Sequence, residues 1–156
     1  MQDKKRVQAK IVEEMIKIGS NISKFSAYSC KLKTKEELKF IIKERMDKEG
    51  PNCDLNNIDV SLITDMSSMF AYSLFNGDIS KWDVSNVKDM WGMFYMSWFN
   101  QDISKWNVSN VKSMVSMFSK SKFNKDISNW KINSRCNISG MFAECSIKEE
   151  YKPKSL

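Results

Sequence analysis

Large apolar residues return along this chain at a fixed interval of 24 positions, with polar residues filling the gaps. Met66, Met90 and Met114 form one column. Met69, Met93, Met117 and Met141 form the next, and Phe70, Phe94, Phe118 and Phe142 a third. Further columns hold Trp82, Trp106 and Trp130, then Val60, Val84, Val108 and Ile132, then Ile79, Ile103 and Ile127, then Phe75, Phe99 and Phe123. Repetition at this short period means like units stacked in one direction, none able to bury its apolar face alone. Within a unit, Met66, Met69 and Phe70 stand at i, i+3 and i+4, with Ile63 a turn earlier. That spacing predicts a short amphipathic helix, entered through Thr64-Asp65, Ser85-Asn86 or Ser109-Asn110 as candidate N-caps. Asn76 to Ser80 predicts a turn into a very short strand around Ile79, after which Trp82 and Val84 alternate inward. The fold class expected is therefore α/β, a stack of helix, turn and strand coils at the spacing of paired strands, about 4.8 Å.

The same register extends backward. Asn52, Asp54 and Leu55 stand 24 residues before Asn76, Asp78 and Ile79, and Ile42 and Met46 stand before Met66 and Phe70. Residues 34–57 thus read as a degenerate leading coil with a longer, more charged helix over 35–49. Thr34 and Glu37 supply its capping box and Gly50-Pro51 its stop. Later coils begin near residues 58, 83, 107 and 131, so the repeat array covers 34–146. A second helical pattern, Val7, Ile11, Met15 and Ile18, runs over 3–18 and ends at Gly19. With the connecting loop over 20–33, it makes residues 1–33 an N-terminal helical cap or a partner-binding arm. Beyond Phe142 the pattern fades, and 147–156 read as a C-terminal cap or tail carrying Ile147 and Tyr151.

The segments FNGDISKW, FNQDISKW and FNKDISNW, each preceded by MxxMF, resemble the repeat of the BspA-like leucine-rich-repeat surface proteins. That repeat is also known from mycoplasma surface lipoproteins as a domain of unknown function. The lead-in KTKEELKFIIKERMDKEGPNCDLNNIDVSLITDMSSMF is similar to the segment that opens such arrays, and the likeness covers roughly residues 31 to 146. The resemblance implies a short leucine-rich-repeat-like solenoid used for adhesion or protein binding, with no catalytic residues. The helix over 3–18 lies outside the pattern, and the terminal YKPKS resembles the start of a further lead-in.

Composition narrows the chemistry. The chain has 156 residues and no histidine, which removes the usual general base, the Ser/His and Cys/His pairs and most transition-metal sites. With five glycines and no glycine-rich phosphate loop, the expectation is a non-enzyme without cofactor or metal. Asp54, Asp78, Asp102 and Asp126 stack in one column and Asp59 and Asp83 begin another. Each is read as accepting amides of its own turn, with a calcium ladder between turns as the alternative. Cys30, Cys53, Cys136 and Cys145 share no zinc spacing and are read as free thiols, Cys53 and Cys136 facing solvent and Cys145 in a tight, small-residue column. Lys10, Glu13 and Glu14 interrupt any signal-peptide core, and no run approaches the roughly 18 apolar residues of a membrane span. The sequence as written reads as cytoplasmic, whereas the resemblance implies a cell surface.

Binding is sought where columns vary. Ser67, Trp91 and Val115 form one such column; Ala71, Tyr95, Ser119 and Ala143 another; Leu74, Trp98 and Lys122 a third. One coil fills all three with aromatics. Trp91, Tyr95 and Trp98, with Met96 and Tyr72 in a neighbouring column, are the candidate partner-binding residues, because exposed Trp and Tyr dominate interface energetics. The function expected is a protein-protein interaction module, an adhesin-like or adaptor scaffold. The rival is a nucleic-acid or anionic-surface binder: of the net charge of +6, residues 1–50 carry 13 Lys/Arg against 8 Asp/Glu. A weakly capped last coil also leaves end-to-end homodimerisation open.

Overall fold

The structure is a computed structural model that describes residues 32–155. The helix over 3–18 and nearly all of the loop over 20–33 lie outside the described residues. Helix α1 runs Lys35–Glu49, the span its capping signals predict. The Thr34 hydroxyl accepts from the Glu37 amide, the Glu37 carboxylate accepts from the Thr34 amide, and the Gly50 amide closes the helix on the Met46 carbonyl. Leu38 and Ile42 are buried on its inner face.

After α1 the chain winds in coils that repeat every 24 residues, but not as helix and strand. Among the described residues there is one α-helix, a single 3-10 turn at Glu149–Tyr151 (η1), and no strand; parallel bridges join only Asp65 to Asp89, Asp89 to Ser113 and Ser113 to Asn137. The expected α/β leucine-rich-repeat solenoid is therefore overturned. The MxxMF segment is instead three overlapping four-residue turns: the amides of Met69, Ala71 and Ser73 donate to the carbonyls of Met66, Ser68 and Phe70. The intervening amides of Met66, Ser68, Phe70 and Tyr72 leave the coil and donate to Asp89, Trp91, Met93 and Tyr95 of the next. An α-helix would turn every amide past its first turn inward along its own axis, and a segment this short is a poor isolated helix. Turns and helices share the i, i+3, i+4 burial pattern, which is why the spacing misleads.

The arrangement repeats with the same alternation in the coils of Met90–Ser97 and Met114–Ser121. It requires positive φ at two places per coil. Ser68, Gly92, Ser116 and Gly140 hold the first, and Tyr72, Met96, Lys120 and Glu144 the second. Left-handed backbone costs a side-chain-bearing residue about 1 to 2 kcal/mol, and six of these eight positions are not glycine. The ladder must outweigh that cost.

The strand expected around Ile79 is also absent. Asp78 Oδ1 accepts from the Ser80 amide at 2.8 Å and the Trp82 amide donates to the Ile79 carbonyl, so a side-chain-capped turn takes the backbone groups a strand ladder would use.

The columns meet as a continuous core. Phe70, Phe94, Phe118 and Phe142 stack with ring centres 5.5, 5.5 and 5.8 Å apart, and Phe75, Phe99 and Phe123 form a parallel stack at 6.1 and 6.2 Å. Trp82, Trp106 and Trp130 are buried, and each indole N–H donates to a carbonyl of the preceding coil, Leu55, Ile79 and Ile103. Asn76 and Asn100 each pass a side-chain carbonyl to the amide of the next asparagine in their column. At the join with the leading coil, a Cβ on Gly77 would sit 1.9 Å from the Cys53 carbonyl oxygen, so the chain passes there only as glycine. Cys53 is buried in the apolar core, contrary to the expectation of a solvent-facing thiol; Cys136, also expected to face solvent, is half-buried, as is Cys145, and all three are free thiols.

Two stability effects are expected in urea unfolding. Trp106→Phe keeps the ring volume roughly but leaves the Ile79 carbonyl without its buried donor, a loss of about 1 to 3 kcal/mol. Gly77→Ala loses about 3 kcal/mol through backbone collision, whereas Gly92→Ala, with φ of +56° but only ordinary contacts for the new methyl at 3.6 Å from Ser68 Oγ and Tyr95 Cβ, loses about 1 kcal/mol. Equal losses for the two glycine variants would contradict the close approach.

Candidate functional site

The three-turn segment places its inner side chains and its outer ones by the same geometry. In the coil of Met90–Ser97, Met90, Met93 and Phe94 are sealed, while Trp91 is 51% exposed, Met96 43% and Trp98 59%. In the preceding coil Tyr72 is 71% exposed and Leu74 62%. Tyr95 is half-buried, because its ring stands edge-on to Tyr72 at 5.3 Å.

Backbone bonds between the coils bring most of these side chains together. The Tyr72 amide donates to the Tyr95 carbonyl at 2.8 Å, and the Trp98 amide to the Ser73 carbonyl at 3.0 Å. Tyr72, Leu74, Tyr95, Met96 and Trp98 therefore share the turn exit of two adjacent coils. Trp91 stands at the turn entrance, its amide held by Asp89 Oδ1, and among the described residues it makes no ring contact with the others. Because the segment is not the short helix its spacing predicts, Trp91, Tyr95 and Trp98 share no helix face; the turn exit gathers Tyr95 and Trp98 instead. Sequence reasoning left Leu74 out of the site. The signal was present in its column, where Trp98 and then Lys122 follow it.

Positive φ at Tyr72 and Met96 helps explain this exposure. A residue forced into the left-handed region at a turn corner projects away from the stack, so the side chain there is not recruited to the core. The same corners carry Lys120 and Glu144 in later coils, and these form an ion pair at 3.6 Å. The apolar character is thus confined to the first two of these corners.

The carboxylate columns are occupied by the turns themselves. Asp54, Asp59, Asp78, Asp83, Asp102 and Asp126 each accept, through Oδ1, the amide two residues on. Asn107 does the same where the second column changes residue type, and Asn133, two positions past that column in the last coil, accepts the Arg135 amide in the same way. These bonds to Ser80, Ser104 and Ser128 amides hold Asp78, Asp102 and Asp126 below the usual carboxylate range, and the Ser85 hydroxyl and amide do so for Asp83. Burial raises Asp65, but bonds to Ser67 and the Lys35 ammonium outweigh it and leave a net lowering. Among the described residues no group of three or more His, Cys, Asp or Glu side chains is placed to hold a metal ion, and no helix is long and apolar enough to cross a membrane.

What this geometry defines is a repeat protein whose coils are tied by backbone ladders and which exposes aromatic side chains at one set of turn corners. The chain belongs to the family described as Mycoplasma protein of unknown function, DUF285, whose profile matches residues 38–153. That placement is coarser than the BspA-like leucine-rich-repeat resemblance. No curated protein and no solved structure matches the chain.

Asp65, Asp78, Asp83, Asp102 and Asp126 set an acid limit. Their folded-state pKa values lie below the unfolded values near 4, so the stability they contribute is complete above about pH 5 and is lost as pH falls through the folded values. The melting temperature should hold steady from about pH 7 to 5 and fall below about pH 4. Asp102→Asn, which keeps the turn as Asn107 does, should weaken that fall; a melting temperature indifferent to acid down to about pH 2 would contradict the assignment.

Proposed function

We propose that the chain is a non-catalytic protein-binding module that docks a partner through the aromatic turn corners of two adjacent coils. Tyr72, Tyr95, Met96 and Trp98 supply its centre with Leu74, and Trp91 extends it. The observation that carries the reading is where exposure falls. The large apolar side chains that are exposed among the described residues all lie on these two coils, all but Leu62 in or beside their turn segments, and the positions equivalent to Met96 and Trp98 one coil later are Lys120 and Lys122. A stack built from identical slots has no structural need for tryptophan at one corner and lysine at the next. Contiguous exposed aromatics rimmed by charge are the mark of an interaction surface. An adhesin-like role, which the likeness to BspA-like surface repeats implies, falls within this proposal, as does an adaptor role.

The test is affinity capture with the wild type and a Trp91→Ala/Trp98→Ala variant whose circular dichroism and melting temperature match the parent. Both side chains are more than half exposed, so folding should survive their removal. Partner recovery should drop by about tenfold or more, as loss of two anchoring aromatics implies. Equal recovery by both proteins would remove the surface as the binding site.

A further inference from the structure

Among the described residues the ladder that joins each coil to the next ends unpaired. At the inner interfaces, a coil offers the following one a fixed register: a carbonyl at the turn entrance, four alternating amides and a carbonyl at the exit. For the first such coil these are the Thr64 carbonyl, the amides of Met66, Ser68, Phe70 and Tyr72, and the Ser73 carbonyl, and they are met by residues 88–98. In the last coil the same register falls on the Cys136 carbonyl, the amides of Ile138, Gly140, Phe142 and Glu144, and the Cys145 carbonyl. None of these six groups has a backbone partner among the described residues.

The apolar columns end open at the same place. Met66, Met90 and Met114 are fully buried, but Ile138 in their column is only half-buried; Phe94 and Phe118 are fully buried, but Phe142 is half-buried. The tail does not close this wall. Residues 148–155 run along the opposite one, where the Tyr151 carbonyl accepts from Ile127 and the Ser155 hydroxyl bonds the Trp130 carbonyl and the Ile132 amide. Over Phe142 stands the Lys152 ammonium, 5.8 Å from the ring centre and bonded to Glu149. A ring stacked on Phe142 would displace it toward solvent. The other end of the array differs. There α1 sits where a preceding coil would stand, Lys35 reaches Asp65 and Ser67, and the helix spends its own amides internally. One edge is blunted and the other is not.

We infer that the Cys136–Cys145 edge is a second docking site, distinct from the aromatic corners, and that it takes a turn segment of the MxxMF type from another chain. The donor and acceptor order dictates this occupant. Two copies of this edge facing each other present mostly donors to donors, so a symmetric pairing cannot close the ladder. A second copy docking head to tail would find its complementary carbonyls beneath α1. A segment with carbonyls on alternate residues, amides at its two ends and an aromatic ring over Phe142 fits on every count. Residues 112–122 of this chain provide that pattern, with Phe118 as the ring.

The experiment is a nitrogen-15 NMR titration of the full chain with the blocked peptide of sequence KSMVSMFSKSK, residues 112–122. The expected result is saturable shift changes at the amides of Ile138, Gly140, Phe142 and Glu144, with a Kd of about 1 mM or tighter. The peptide with alanine at the phenylalanine position should bind about tenfold more weakly, and a scrambled peptide should leave the four amides unmoved. Because the changes are made in the peptide, folding of the protein is not in question. Silence of the four amides up to several times about 1 mM, or equal shifts with the scrambled peptide, would overturn the inference. Shifts confined to Trp91, Met96 and Trp98 would assign the peptide to the aromatic corners and equally overturn it.

Discussion

The structure depends on how each coil divides its backbone amides. Alternate amides of the MxxMF segment close turns within the coil, and those between them cross to carbonyls of the next coil. A buried polar group left unpaired costs about 1 to 3 kcal/mol, so at the inner interfaces, where both sets of amides are buried, neither half of this division can be lost without the other. The turns create the outward-facing amides; the neighbouring coil satisfies them. That mutual need explains why no coil is stable alone and why the period tolerates no insertion across Phe75 to Trp130.

Side-chain choices follow from the same division. Phenylalanine stacks fill the space inside the turns, and tryptophan adds a cross-coil bond where a plain hydrocarbon would leave a carbonyl buried and alone. Aspartate and asparagine hold the remaining corners through amides two residues on, which removes the repulsion problem of a carboxylate column by giving each member its own donors. The left-handed corners are the cost of this geometry. At the second of these corners the side chains face away from the core, as tyrosine and methionine at positions 72 and 96 and as lysine and glutamate at 120 and 144.

Much of this was legible in the residues. The period, the membership of the Met, Phe, Trp and Val columns and helix α1 from Lys35 to Glu49 follow from spacing and capping chemistry. The exposure of Tyr72, Trp91, Met96 and Trp98 follows from columns that change type between coils. Helix and strand within the coil were misread for a physical reason. Overlapping turns bury residues at i, i+3 and i+4 as a helix does, and only the destination of the intervening amides distinguishes them. That destination lies 23 residues away, at Asp89 for Met66, beyond any local pattern. Burial of Cys53 was hidden likewise, since the apolar core it joins is assembled from residues of other coils.

Amide hydrogen exchange resolved by residue is the most direct measure of the shared ladder. Met90, Gly92, Phe94 and Met96 should be protected together with Met93, Tyr95 and Ser97, because both halves of the division are satisfied there. In the last coil Met141, Ala143 and Cys145 should retain some protection from their turns, while Ile138, Gly140, Phe142 and Glu144 exchange at nearly free rates. Uniform protection across the last coil, or free exchange at Met90 to Met96, would contradict the account.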